Sequence, residues 1–327
     1  MITRRTLAAL TASTLTAATL TLGAPAFAQN KGELVYMTPG LDVSFWRYLS
    51  DGVKSVAEAE GYGFSALDST NDPQTQLQNA QDSIARGVAG IILSPTDSST
   101  APAILSLAAA AGIPVVIADI GTDSGEFISV IGSNNYEGAN GVGTALAEAM
   151  KAAGKDGGTI GIVGISQARL NGQARTKGFK DAVQAAGITG EAGLQQMQAY
   201  TADETFKFTQ DMITANPGMT GMFVQTDGPT LGALRAIKAA RMNGEILVAA
   251  FDGIPEFVPL LQSGELVVSG MQQPYLMGVR SAEAMVMHLG GGTPEKEVTV
   301  PILIVTSGNI EALLPTIKET VFANEME

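Results

Sequence analysis

From residue 33 onward, short apolar runs alternate with longer stretches whose apolar positions recur at helical spacing. The runs at 33–38, 63–67, 89–93, 114–118 and 128–131 predict strands, and the stretches at 44–60, 73–86 and 101–111 predict helices between them. After Asn134 and Asn135 a long helix is expected to about residue 153, and the pattern then restarts. Strands are expected at 159–163, 193–198, 221–224 and 247–251, with helices at 173–186, 203–215 and 231–241 between them. A strand at 266–270, a helix at 274–289, a strand at 298–305 and a helix at 310–320 complete the chain.

Strands alternating with helices of this length form βαβ units around a parallel sheet. The second half repeats the first element for element, without detectable sequence repetition. The expected fold class is therefore α/β, with two doubly wound parallel-sheet lobes. The elements beyond residue 252 are too few for a third domain and are expected to be shared. The chain would then cross between lobes near Ser133, Gln273 and Pro301, a three-segment hinge rather than a loose linker. The expected division is 29–133 plus 273–301 for the N-terminal lobe, and 134–272 plus 302–327 for the C-terminal lobe.

Two apolar runs stop abruptly at a carboxylate. Leu247-Val248-Ala249-Ala250-Phe251 ends at Asp252-Gly253, and Val115-Val116-Ile117-Ala118 ends at Asp119. Runs of this kind read as strands buried on both faces. In open α/β sheets ligands sit off the carboxyl ends of the strands, so one aspartate per half would face a shared cleft. The other reading of Asp252 is a cap for the helix beginning near Pro255.

Composition narrows the setting. Arg4 and Arg5 precede an Ala/Thr/Leu-rich stretch, and Ala26-Phe27-Ala28 fits a small-residue cleavage site. Residues 1–28 are therefore expected to be a secretory signal peptide cleaved after Ala28, through either the general or the twin-arginine route. The chain has no cysteine, hence no disulfide and no thiol for a lipid anchor after the signal, and its stability must come from a large core. A soluble, periplasmic monomer is expected. The formal net charge of −13 argues against nucleic acid or an anionic membrane as partner. No membrane-embedded segment is expected in the mature chain.

Several segments together resemble the periplasmic binding proteins of sugar ABC importers, in their ribose-binding-like type I cluster. They are Asp42-Val43-Ser44-Phe45-Trp46, the stretch from Gly87 to Pro95, Gln225-Thr226-Asp227 with Leu231 to Ala236, and Phe251-Asp252-Gly253-Ile254-Pro255. The resemblance covers nearly the whole mature chain in one order. It implies capture of a neutral sugar or polyol in the inter-lobe cleft and delivery to an inner-membrane ABC permease. The alternative is presentation of a sugar-like signal to a receptor, which the same fold serves in some relatives. The resemblance assigns stacking rings to Phe45 and Trp46, a carboxylate to Asp119, a hinge amide to Asn135 with Asn134 beside it, and a ring to Tyr200. It assigns a small polar contact to Thr226, a carboxylate to Asp252 and a hinge amide to Gln272. Two positions depart from the pattern. Ile120 follows Asp119 where an arginine is usual, and Gln173, counted among the expected ligand contacts, stands where a second ligand-binding arginine would align. The site is therefore expected to lack both cations, which disfavours an anionic ligand. Asp42 stands where the family usually has a neutral amide, and is either an added acceptor or a bystander.

Elementary chemistry points the same way. Carboxylates accept charge-assisted hydrogen bonds from hydroxyls, and aromatic faces cover the C–H side of a sugar ring. Plainer roles remain open for some of these residues: core packing for Phe45 or Trp46, structure for Tyr200, a turn for one of Asn134 and Asn135, and a helix cap for Asp227. No enzyme is expected. Gly164-Ile165-Ser166-Gln167-Ala168 resembles a nucleophile elbow only in part, since it lacks the final glycine, and the one histidine, His288, lies far along the chain. No His/Cys cluster suits a transition metal, and Gly158-Thr159-Ile160-Gly161 lacks the dinucleotide spacing. No cofactor is expected.

Overall fold

The computed structural model describes residues 31–323, 325 and 326. The signal peptide expected at 1–28 lies outside the described residues.

The chain opens with β1 (Glu33–Thr38), α1 (Ser44–Ala59), β2 (Gly63–Asp68), α2 (Pro73–Arg86), β3 (Gly90–Leu93), α3 (Ala101–Ala110), β4 (Val115–Ala118) and β5 (Ser129–Gly132). It continues with α4 (Asn135–Ala152), β6 (Thr159–Gly164), α5 (Leu170–Ala185), β7 (Gly190–Gln196), α6 (Ala202–Ala215), β8 (Met219–Val224), α7 (Gly228–Ala239), β9 (Leu247–Phe251), α8 (Phe257–Ser263) and β10 (Val268–Met271). The last stretch holds α9 (Pro274–Leu289), β11 (Glu297–Thr299), β12 (Leu303–Thr306) and α10 (Ile310–Thr320).

Two six-stranded sheets result, ordered β11-β5-β4-β3-β1-β2 and β12-β10-β9-β8-β6-β7. The strand pairs are parallel except β10–β12, which run antiparallel. In each sheet the winding reverses beside the first strand of its lobe, β1 or β6. Such a switch point leaves a crevice at the carboxyl ends of the strands. Central strands such as β3, β4 and β9 are buried along almost their whole length. Their apolar runs can therefore be continuous rather than alternating.

Two helices start three residues earlier than expected, α7 at Gly228 rather than 231 and α5 likewise. Helix α5 begins at Leu170, three residues before Gln173. A second correction concerns the apolar stretch at 298–305, which is not one strand. It is split into β11, which pairs with β5 of the first sheet, and β12, which pairs with β10 of the second. Proline has no N–H for a ladder, and Pro301 lies in the break. The chain thus passes between sheets at 133–134, at 272–273 and at 300–302.

Close glycine contact seats the returning helix α9 on the first lobe. A Cβ on Gly52 of α1 would collide with Tyr275 O, and one on Gly278 of α9 would collide with Leu49 O. Any larger residue at either position would force the two helices apart.

Candidate functional site

Asp119 and Asp252 occupy equivalent places in the two lobes. Each follows the last residue of its strand, each adopts a left-handed backbone (φ 62° and 63°), and each is buried. Aspartate tolerates that conformation better than most residues. The backbone N–H of Asp119 donates to Ile131 O at 2.8 Å, and that of Asp252 to Gly270 O at 2.9 Å. The ladder to the neighbouring strand is thus carried one residue past β4 and β9, while the chain turns and both side chains enter the space between the lobes.

That space is a cavity of about 400 Å³. Asp42, Phe45, Trp46, Asp119, Tyr200, Thr226, Asp252 and Gln272 all line it. Phe45 and Trp46 stand at the start of α1, with ring centroids 4.7 Å apart and planes at 85°. Both are also part of the first lobe's core, so packing and cavity lining are not alternatives here. Asp42 is exposed at the mouth. Thr226 is buried, and its hydroxyl donates to Asp227 Oδ1 at 3.3 Å.

Tyr200 is fixed from two directions. Its hydroxyl accepts from Ser166 N at 3.1 Å. The carboxylate of Glu204 accepts from the backbone N–H groups of Gln198, Ala199 and Tyr200 itself. This clamp holds Tyr200 at φ 55°, where a ring-bearing residue is an outlier without such support.

The expectation that the site lacks cations is overturned. Arg169 and Arg175 both line the cavity, and both are buried. Nη1 of Arg175 donates to Asp252 Oδ2 at 3.1 Å and to Gln225 O at 2.7 Å, and its Nε donates to Asn135 Oδ1 at 2.7 Å. Arg169 spans the cleft, with Nε on Thr96 O at 2.8 Å and Nη2 on Asn71 Oδ1 at 2.9 Å. The physical reason is the start of α5. With the helix running from Leu170, Asn171 and Arg175 share one face at i,i+4 spacing, and Gln173 falls on the other. Gln173 is exposed, donates to Gln167 O, and does not line the cavity. Ile120 is fully buried in the first lobe's core. Asn134 is also outside the cavity lining: it is exposed and caps α4 by accepting from Glu137 N at 3.1 Å. Asn135 sits behind Arg175 and orients it rather than facing the cavity. The arginines are legible in hindsight as two cations at the head of a helix that follows a largely apolar strand.

The carboxylates differ in their partners. Asp252 Oδ1 accepts from Gln272 Nε2 at 2.9 Å, and its Oδ2 accepts from Arg175. Asp119 Oδ2 accepts from Asn171 Nδ2 at 3.1 Å, whereas its Oδ1 is buried without a partner among the described residues. Asn171 Oδ1 and Gln272 Oε1 are in the same condition. Burial pushes the Asp119 carboxyl up to about 6, with Arg175 opposing the shift and Asp252 adding to it. Asp227 caps α7 through Gly228 N at 2.7 Å, and burial beside Asp252 pushes its carboxyl up to about 7. Among the described residues no group of three or more His, Cys, Asp or Glu is placed to hold a metal ion. No helix there is long and apolar enough to cross a membrane.

Comparison with known proteins gives a consistent assignment. Residues 34–293 match the family model described as a periplasmic binding protein domain. The chain is 31% identical over 287 residues to the ribose import binding protein RbsB of Haemophilus influenzae, covering 88% of this chain and 95% of that one. It is 32% identical over 288 residues to the ribose import binding protein RbsB of Escherichia coli (strain K12), covering 87% and 93%. A solved carbohydrate transporter solute binding protein from Agrobacterium radiobacter, in complex with D-arabinose, superposes with a TM-score of 0.82 at 23% identity. That superposition covers 89% of this chain and 98% of the other. The chain belongs to the periplasmic binding protein family, in its ribose-binding-like type I branch.

Proposed function

We propose that this protein is a periplasmic solute receptor, not an enzyme, which captures a neutral sugar or polyol between its lobes and delivers it to an inner-membrane ABC permease. One observation carries the reading: Asp119 Oδ1, Asn171 Oδ1 and Gln272 Oε1 are buried acceptors without partners among the described residues, on three residues that line one cavity. A buried polar group without a hydrogen bond costs about 1–3 kcal/mol. Three such acceptors together call for a ligand rich in O–H donors. Phe45, Trp46 and Tyr200 supply apolar surface for its C–H faces. The two arginines do not make the site anionophilic, because Arg175 is paired with Asp252 and Arg169 lies within the field of Asp119. The relatives named as ribose import binding proteins and the neighbour holding D-arabinose support the same ligand class.

Asp119, Asp252, Thr226 and Gln272 bind the hydroxyls, and Asp42 contributes at the mouth. Export removes residues 1–28, and the mature monomer works in the periplasm. Residues 29–133 with 273–301, and 134–272 with 302–327, move as two bodies about the three crossings. A thermal-shift screen of neutral pentoses, hexoses and polyols tests the reading, because a ligand that binds only the folded state raises its stability by RT ln(1 + [L]/Kd). At least one member is expected to raise the midpoint. Solution scattering with that sugar should give a smaller radius of gyration than without it. Hits confined to amino acids, phosphates or organic acids would sink the assignment.

A further inference from the structure

A second cavity of about 100 Å³ lies against the first, and Asn71, Arg169, Gln198 and Tyr200 line both. The side cavity is completed by Pro73, Thr96, Asp97, Ser166 and Met197. Its volume equals that of about three waters, enough for a small substituent but not for a second sugar ring. Between the two spaces stands the Arg169 guanidinium, centred 5.2 Å from the Tyr200 ring centroid.

This wall is unusually well fastened. Nε and Nη2 of Arg169 are held by Thr96 O and Asn71 Oδ1, the ring of Tyr200 packs beside it, and that ring is in turn fixed by Ser166 N and by the clamp from Glu204. The two acceptors belong to the first lobe, while Arg169 and Tyr200 belong to the second. The wall is therefore assembled only when the lobes meet. The neighbouring residues tighten the same seam: Leu170 N donates to Ser98 Oγ at 3.2 Å, and Asn171 donates to Asp119.

We infer that Arg169 is a specificity-determining residue of the site: it closes one end of the ligand cavity against the side cavity, so that the receptor takes a single-ring sugar with an unsubstituted hydroxyl at that end. The inference rests on the sugar reading above. A ligand with a substituent there can seat only by displacing the guanidinium, which breaks two charge-assisted hydrogen bonds and leaves a buried cation without acceptors. An unsubstituted sugar keeps both bonds and leaves Nη1 free to donate to its hydroxyl. Discrimination thus comes mainly from the closed form, after the sugar has entered.

The test uses the mature protein and isothermal titration with D-ribose, D-arabinose and D-allose, each beside its singly O-methylated derivatives, one for each hydroxyl. Wild type is expected to bind at least one free sugar, and to bind the derivative methylated at one particular position at least tenfold more weakly. Arg169→Ser joins the two cavities. It should weaken the free sugar while narrowing that one ratio tenfold or more, leaving the ratios at other positions unchanged. Arg169→Lys keeps most of the bulk and should retain most of the discrimination. Asn71 has φ 54°, so Asn71→Gly preserves a permitted backbone while removing one anchor of the wall. It should shift the same ratio in the same direction by a smaller factor, even if the serine variant folds poorly. Free-sugar affinity falling with every ratio unchanged would overturn the inference and leave the sugar reading intact. Equal wild-type affinity for the free sugar and all its derivatives would also overturn it. A wild type that bound no neutral pentose, hexose or polyol of the thermal-shift screen would remove both.

Discussion

The guanidinium of Arg175 donates to the carboxylate of Asp252 across 3.1 Å while its centre lies 4.0 Å from the centroid of the Phe251 ring. The pair is buried on both sides, with side chains 3% and 6% exposed. Removing one member of a buried pair is costly because the other is left charged and desolvated, typically by about 3–5 kcal/mol. Arg175→Ala should therefore lower the unfolding free energy measured by urea denaturation by a comparable amount even without any ligand. A loss below about 1 kcal/mol would mean that the pair does not hold the second lobe's binding edge in place.

Asp252 calls for a different substitution. Its left-handed backbone makes Asp252→Ala strained as well as uncharged, whereas asparagine accepts the same φ. Asp252→Asn keeps a permitted backbone but leaves Arg175 without its countercharge, so it should lower stability while the chain still folds, and should weaken sugar binding by about one to two orders of magnitude, the equivalent of one lost charge-assisted hydrogen bond. Calorimetric titration decides it. A change below threefold would leave Asp252 as a structural partner of Arg175 and Gln272 only.

The strand-terminal aspartates were legible in the sequence because a carboxylate at the end of a buried apolar run is costly unless a partner or a ligand meets it. The rings of Phe45 and Trp46 were legible through the resemblance, and the structure makes both of them core as well as cavity wall. The arginines were hidden by a matter of phase. Gln173 aligns by position, but a helix starting at Leu170 turns that position outward and turns Asn171 and Arg175 inward. The break at 300–302 was masked by the unbroken apolar character of Val300-Pro301-Ile302-Leu303-Ile304-Val305, in which Pro301 is the sole local sign. The side cavity depends on Asn71, Arg169 and Tyr200, residues far apart in the chain, and no local pattern announces it.

Stability should fall as pH rises through the weakly acidic range. Asp119 is raised to about 6 and Asp227 to about 7, above the ordinary aspartate value, so between pH 4 and 7 the folded chain holds protons that the unfolded chain has released. The contribution of these carboxyls is complete below pH 4 and is lost as pH passes 6 and then 7, at about 1.4 kcal/mol per pH unit for each group. Asp119→Asn should flatten the pH dependence of the urea midpoint between pH 4 and 6. Sugar affinity should move in the opposite sense, rising through pH 6 as Asp119 ionises and becomes the better acceptor. Identical pH profiles for wild type and Asp119→Asn would contradict both expectations.

Trp46 is the only tryptophan and is 7% exposed at the cavity wall, edge to face with Phe45. Its emission should already be blue-shifted in the free protein. A sugar stacked against it should therefore change the intensity more than the wavelength, with saturation that follows the calorimetric titration. Trp46→Phe should retain much of the affinity, and Trp46→Ala should lose at least tenfold. Unchanged emission at saturation, with normal binding by Trp46→Ala, would remove the ring from the ligand's surroundings.

The late split of the chain into β11 and β12 has a consequence for biosynthesis. β11 caps one sheet and β12 caps the other, and both are drawn from the last thirty or so residues. A chain growing from the ribosome can pair the inner strands of each lobe, but it can finish neither sheet until that segment has emerged. The two lobes are thus locked late and nearly together, and a protease that trims the tail past residue 297 would strip an edge from both at a single cut.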